Sequence, residues 1–255
     1  PPRSTLFPYT TLFRSVITGI CTSKISFQKI LASPRNRNIA QKLKKRFRKV
    51  NIAKTNQEVV DKCNWVFLSV TPKVGKKILP KLKFRSNQKV VSFIATINLT
   101  QLKNILGRKI KIVRAIPLPP IALKKGPVPI CPPDKQVKSF FDKIGTTVEI
   151  KNERLSKNFW ATSAMMAPFY EILKVLSDWL VKRGIKRNKA QRYITSLFVA
   201  LSVDSVNNSA KHLKHLVADS QTPGGLNEQA VRGLRRAKFY KNLEKSLNNV
   251  LKRLK

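Results

Sequence analysis

Trp65-Val66-Phe67-Leu68-Ser69-Val70-Thr71-Pro72 decides how the first half of this chain folds. Its apolar residues run without alternation and stop at Thr-Pro. A strand that reads this way is buried on both faces, as strands of parallel sheets are. Proline ends it, because it brings no N–H to a ladder. The same texture recurs outward from this stretch. Lys89-Val90-Val91-Ser92-Phe93-Ile94-Ala95 is a second buried strand, and Ile110 to Ile116 a third, stopped by Pro117-Leu118-Pro119-Pro120. Lys29-Ile30-Leu31-Ala32 is shorter and ends at Ser33-Pro34-Arg35-Asn36. Val50 to Lys54 reads as a short edge strand, and Thr146 to Ile150 as the last strand. Helical spacing fills the gaps at 38–48, 57–62, 74–82, 99–106 and 135–144, and Val16 to Ile20 reads as the end of a helix. Strands alternating with helices predict right-handed crossovers and a parallel sheet covered on both faces. Ligands of such sheets bind beyond the carboxyl ends of the strands. Here those ends are Ser33-Pro34-Arg35, Val70-Thr71-Pro72, Ala95-Thr96 and the Pro117 segment, which would line one crevice.

After about Lys151 long helical patterns dominate, over 153–183, 189–216 and 227–254. Gly184 is placed to cap the first. Asn188 with Gln191 resembles a capping box for the second. Phe159, Met166, Phe169, Leu173, Leu176 and Leu180 recur at helical spacing, as do Ile194, Leu197, Phe198 and Leu201. That is much apolar surface for about a hundred residues, so the helices are expected to pack against a second subunit. Between two of them lies Thr222-Pro223-Gly224-Gly225-Leu226-Asn227-Glu228-Gln229. A Pro-Gly-Gly turn opening a helix bares backbone N–H groups that can hold a carboxylate or phosphate. A plain helix–helix turn with Asn227 as N-cap is the other reading.

The chain carries 52 Lys+Arg against 12 Asp+Glu, a formal net charge of +40. Such a balance attracts nucleic acid, anionic lipid and phosphate-bearing ligands. The excess is spread over the whole length, and only Lys42-Leu43-Lys44-Lys45-Arg46-Phe47-Arg48-Lys49 is dense. Leu43 and Phe47, four apart, make that run an amphipathic helix with a basic outer face. The charge leaves nucleic acid open as a partner, while its even spread argues against a dedicated site. No apolar run is long enough to span a membrane, so a non-membrane, cytoplasmic protein is expected. Cys21, Cys63 and Cys131 lack ligand spacing and read as free thiols in a reducing compartment. His212 and His215 read as a polar helix face with no third ligand nearby, so no metal is expected. No nucleophile motif or phosphate-binding P-loop occurs.

The first fifteen residues look foreign. Thr5 to Ser15 resembles the translation of a common sequencing adapter, and there is no initiator Met. Residues 1–15 are therefore expected to be artefactual.

The order of strands, Val70-Thr71-Pro72, Val113-Arg114-Ala115-Ile116-Pro117 and Thr222-Pro223-Gly224-Gly225 together resemble the pyrroline-5-carboxylate reductase family, over about Val16 to Leu254. The resemblance implies an α/β Rossmann-type parallel sheet domain over 16–150, lacking its first strand, followed by an all-α dimerisation domain over 151–255. It implies NADP(H) as cofactor, a small-molecule imino acid as substrate, and a homodimer or higher homo-oligomer. The implied reaction is hydride transfer reducing 1-pyrroline-5-carboxylate to L-proline, in proline biosynthesis, with the substrate pocket between the two domains. Alternatives are a non-catalytic dinucleotide- or polyanion-binding paralogue, or a reductase of another imine or keto acid.

By position, Ser33 and Arg35 fall where the family grips the adenosine 2′-phosphate. A hydroxyl and a guanidinium without an acidic residue suit NADP rather than NAD. Val70, Thr71 and Pro72 match a Val-Lys-Pro beside the nicotinamide, and Ala95 begins the matching Ala-Gly. Thr222, Gly224, Gly225 and Asn227 match the substrate-carboxylate cradle, with Thr222 and Asn227 at the positions of the catalytic polar groups. Three departures stand out. The glycine-rich pyrophosphate loop is absent, so nucleotide binding by this chain is expected to be weak, and the central strand's place stays open unless Thr10 to Phe13 fills it. A family Met-Pro-Asn-Thr-Pro reads Ile116-Pro117-Leu118-Pro119-Pro120. A family Thr is Asn227, whose amide donates a hydrogen bond but supplies no proton.

Overall fold

The computed structural model describes residues 9–254. Two compact units form, one built mainly of the residues up to Ser163 and one spanning Ala164–Lys252. The first opens on α1 (Tyr9–Cys21), β1 (Ile30–Ala32), α2 (Arg37–Arg46), β2 (Val50–Ile52), α3 (Asn56–Lys62), β3 (Trp65–Leu68) and α4 (Pro72–Ile78). It continues through β4 (Lys89–Ser92), α5 (Leu99–Leu106), β5 (Lys111–Ala115), β6 (Pro127–Cys131), α6 (Lys135–Phe141), β7 (Thr146–Glu149) and α7 (Glu153–Ser163).

The strands form two sheets. β1 pairs in parallel with β2, and a separate sheet runs in the order β3-β4-β5-β6-β7. All pairs in the larger sheet are parallel except β5–β6. The expected parallel architecture is present, and β2 lies at an edge as its sequence suggested. The place of a strand between β1 and β3 is not taken by Thr10–Phe13. Those residues belong to α1, where Leu12 is buried with Val16 and Ile20. Leu12, Val16 and Ile20 recur every four residues, which suits a helix face and not a two-residue strand repeat.

β6 is the strand the sequence concealed. Pro127 and Pro129 interrupt it, and proline argues against an interior strand. Gly126 and Ile130 carbonyls accept from Thr146 and Ile150 on the β7 side. Pro127 and Pro129 therefore turn their backbone towards β5, where only the register pairs Arg114↔Cys131 and Ala115↔Ile130 form. The missing donors fall where little ladder exists.

Alternate residues of the larger sheet feed opposite cores. Val91, Phe93, Val113 and Ala115 join α1 and α6 residues such as Phe141. Val90, Ile112, Val66 and Leu68 join Ile94, Leu102 and Leu106 on the other face. A continuous apolar run is what such two-sided burial requires. Helix starts are set by short polar side chains. Thr55 accepts from Glu58 N–H, Thr71 from Val74 N–H and Asp134 from Val137 N–H, while Asn98 and Gln101 form a capping box on α5. On α2, Ala40 and Leu43 are buried and Lys42, Lys44 and Lys45 exposed, as the basic amphipathic reading expects, while Phe47 falls just past the helix end in extended backbone.

The second unit comprises α8 (Met166–Val181), α9 (Arg187–Asn207), α10 (Lys214–Asp219), α11 (Leu226–Arg236) and most of α12 (Phe239–Leu254). Each of the three long helices read from the sequence is broken in two. α7 ends at Ser163 and packs with the first unit through buried Trp160, so it separates from α8. Lys238, at φ 55°, turns the chain between α11 and α12. Gly184 does end α8, at φ 89°, with Ile185 N–H returning to Leu180 C=O. The Asn188–Gln191 capping box does not form. α9 begins one residue before Asn188, whose side chain accepts instead from Lys189 N–H. α8 packs on α9, with the Phe169 and Phe198 rings 5.8 Å apart. Tyr170, Trp179, Tyr193 and Val199 on these helices stay exposed.

Candidate functional site

Ser33 stands at the tip of β1. Its Oγ donates to Asn56 Oδ1 at 2.6 Å and accepts from Arg35 N–H at 3.3 Å. Pro34 then opens a single 3-10 turn that carries Arg35 outward, exposed. Arg37 lies just beyond, also exposed. Glu58, the nearest acid in sequence, is engaged by Lys54 N–H and Lys62. This tip offers hydroxyl, amide and guanidinium groups with no free carboxylate, which suits a phosphate monoester. The tip by itself fits that phosphate, and the stretch before α1, where the glycine-rich turn is expected, lies outside the described residues.

At the tip of β3, Val70 is half-buried and Thr71 and Pro72 start α4. The Thr71 hydroxyl is thus used as a helix cap. At the tip of β4, the Ala95 carbonyl accepts from Arg114 Nη2 at 2.5 Å. Arg114 itself is 3% exposed, lies 4.3 Å from the Trp160 ring centroid and pairs with Glu153. Glu153 also accepts from Leu99 N–H at 2.9 Å. One buried guanidinium therefore ties the β4–α5 loop to the start of α7. Sequence reading used Arg114 only as part of a motif. The available signal was a lone charge inside an apolar strand, which rarely occurs unless the charge is paired.

Ser33, Ser69 and Val70 border one cavity of about 880 Å³ in the first unit. Arg35, Thr71, Pro72 and Ala95 are not among its lining residues. Cys63 also borders it. Burial pushes the Cys63 thiol up, against the pull of Lys29 and Arg85, which disfavours the thiolate.

Thr222, Gly224, Gly225 and Asn227 lie in the second unit. Gly224 sits at φ 71°, the left-handed region that glycine tolerates. Gly225 is the N-cap of α11, and a Cβ there would stand 2.3 Å from Thr222 Oγ1. Asn227 is therefore not the N-cap. It is the second residue of the helix, and its amide donates to Ser220 C=O at 2.8 Å. Gly225 N–H donates to Thr222 C=O, and Gly224 N–H to the Glu228 carboxylate at 2.7 Å. The first-turn N–H groups of Leu226, Asn227 and Glu228 have no intrahelical partner and remain the donors suited to an anion. Glu228 already brings one acidic side chain to this turn, which the sequence reading did not weigh.

Two family models match this chain. One, described as pyrroline-5-carboxylate reductase dimerisation, matches residues 154–255, and one described as NADP oxidoreductase, coenzyme F420-dependent, matches residues 12–96. The pyrroline-5-carboxylate reductase of Escherichia coli (strain K12) is 26% identical over 202 residues, covering 74% of each chain. The fold resembles a Coxiella burnetii pyrroline-5-carboxylate reductase with TM-score 0.82 at 18% identity, over 96% of this chain and 94% of that one. It also resembles a Plasmodium falciparum pyrroline carboxylate reductase with NADP bound, with TM-score 0.81 at 20% identity, over 96% and 93%. The sheet unit and the helical unit each match a family model, and over about three quarters of its length the chain is similar to pyrroline-5-carboxylate reductases.

Proposed function

We propose that this chain is an NADP-dependent oxidoreductase that reduces a cyclic imino acid, 1-pyrroline-5-carboxylate, to L-proline. The observation that carries this reading is the β1 tip, where Ser33, Asn56 and exposed Arg35 gather phosphate-binding groups without a free acid. Ser33 and Arg35 would hold the adenosine 2′-phosphate. Val70, Thr71, Pro72 and Ala95 would border the nicotinamide side, with Arg114 holding the Ala95 carbonyl in place. When bound, the nicotinamide supplies the hydride for the imine carbon. The α11 first turn would receive the substrate carboxylate, with Thr222 and Asn227 as its polar neighbours. Asn227 supplies a hydrogen bond only, so the proton on nitrogen comes from solvent. The exposed apolar side chains of α8 and α9 would be covered in a homodimer or larger homo-oligomer. No described helix is long and apolar enough to cross a membrane, which agrees with the cytoplasmic placement we propose.

A second reading has its own support. Glu228 already engages Gly224 N–H, the described residues hold no glycine-rich loop, and the net charge is +40. A non-catalytic dinucleotide- or polyanion-binding paralogue would show these features. The two separate in one experiment: NADPH oxidation on adding pyrroline-5-carboxylate, beside a DNA mobility shift at increasing salt. The reductase reading expects substrate-dependent oxidation and a DNA shift that disappears at moderate salt. A persistent shift with no oxidation favours the second reading.

A further inference from the structure

The β4–α5 loop is held at both ends by one ion pair. Where the loop begins, Arg114 Nη2 donates to the Ala95 carbonyl at 2.5 Å and more distantly to the Ile94 carbonyl at 3.4 Å. Arg114 Nη1 pairs with Glu153 Oε1. That same oxygen accepts from Leu99 N–H at 2.9 Å, where the loop ends and α5 starts. Between the two points Ile97 is fully buried, in one core with Ile94 and Leu102. The pair is anchored in turn on α7. Glu153, Ser156 and Trp160 recur at helical spacing and share one face of that helix, and Ser156 and Trp160 are buried. Glu153 and Trp160 stand about two turns apart. The Arg114 guanidinium meets both, the carboxylate as an ion pair and the indole ring face at 4.3 Å.

Such a pair does more for position than for stability. Apolar groups of the same volume often stabilise a fold as well or better, because both charges lose water on burial. Apolar groups do not supply direction. A planar guanidinium fork fixes its acceptors relative to one another, here a loop carbonyl and a helix carboxylate. We infer that Arg114 and Glu153 are positioning residues for the reduction. Together they fix the loop from Ala95 to Leu99 against α7, in the placement that turnover requires. The inference rests on the reductase reading, in which Ala95 borders the nicotinamide side. In that reading the coenzyme is gripped by Ser33 and Arg35 at the tip of β1, a strand of the other sheet. Grip and placement therefore belong to separate residues. Loss of the pair lowers kcat and spares KM for NADPH, because misplacement is felt in the transition state and not in the grip.

The test uses the full chain carrying Arg114→Met with Glu153→Gln, a double substitution that leaves no buried charge unpaired. Arg114→Lys is the second variant, and it keeps the charge while losing the fork. Amide hydrogen exchange is read without coenzyme at Leu99, with Val91, inside the β3–β4 and β4–β5 ladders, as internal reference. NADPH oxidation with pyrroline-5-carboxylate gives kcat and KM. In the double variant, exchange is expected to be about tenfold faster at Leu99 and unchanged at Val91. In both variants kcat is expected to fall by about 10- to 100-fold, with KM for NADPH within about threefold of wild type. Unchanged exchange at Leu99 overturns the inference. Equal acceleration at Leu99 and Val91 also overturns it, since the pair would then brace the whole unit and not the loop. Unchanged kcat with a raised KM would place the pair in the coenzyme grip and overturn it too. Wild-type protein that oxidises no NADPH, with Leu99 responding as expected, contradicts the reductase reading while supporting control of the loop by the pair.

Discussion

Arg114→Ala is expected to destabilise the first unit by about 3 kcal/mol, the lower end of the range for breaking a buried ion pair. For a unit of this size that is a fall of roughly 6–12 °C in the thermal midpoint. The reason is the number of groups one side chain serves. Arg114 pairs with Glu153, donates to the Ala95 carbonyl and lies against Trp160, all while 3% exposed. Alanine leaves Glu153 without its cation and the Ala95 carbonyl without its donor. Glu153 keeps 26% side-chain exposure, so water offsets part of the loss, which is why the lower end applies. The double variant Arg114→Met, Glu153→Gln should recover much of the stability, because removing both charges removes the unpaired one. Urea unfolding followed by tryptophan emission measures both. A single-variant loss under about 1 kcal/mol, the size of a surface pair, would mean that the clamp is not structural.

Arg35→Ala is expected to weaken NADPH binding by about 10- to 100-fold, the loss of one charge-assisted hydrogen bond, and to leave NADH binding unchanged. The difference between the two coenzymes is one phosphate, so only a residue that touches it separates them. Titration of both coenzymes against both proteins at low salt reads this directly. Equal losses for NADH and NADPH would place Arg35 away from the phosphate.

Much of the first unit was legible because burial on two faces leaves a strong trace. Val90-Val91 and Ile112-Val113 send neighbours to opposite cores, so no polar alternation interrupts the run. Proline marked the ends of β3 and β5 for the same reason that it hid β6. A missing donor is tolerated both beyond a ladder and inside one that is barely formed, and sequence alone does not separate the two cases. The helical half was read with too few breaks. Pro168, in the first turn of α8, opposes a helix running on from α7 by its ring and its missing N–H, a signal present in the sequence. Trp160 also packs α7 against Arg114 in the first unit, which is a tertiary cause. Lys238 in a left-handed conformation is likewise set by its surroundings rather than by its residue type. Candidate site residues followed strand ends and one turn, which are local features. Glu228 on Gly224 N–H and Arg114 on Ala95 C=O are contacts between side chain and loop that no spacing rule announces.

The most direct test follows the hydride itself. NADPH carrying deuterium at nicotinamide C4, on the transferred face, is incubated with the protein and pyrroline-5-carboxylate, and the product is examined by mass spectrometry and NMR. A proline bearing one deuterium on the former imine carbon, formed in step with NADPH consumed, is the expected result. Product without deuterium, or no proline at NADPH concentrations that saturate the protein, would contradict hydride transfer by this chain.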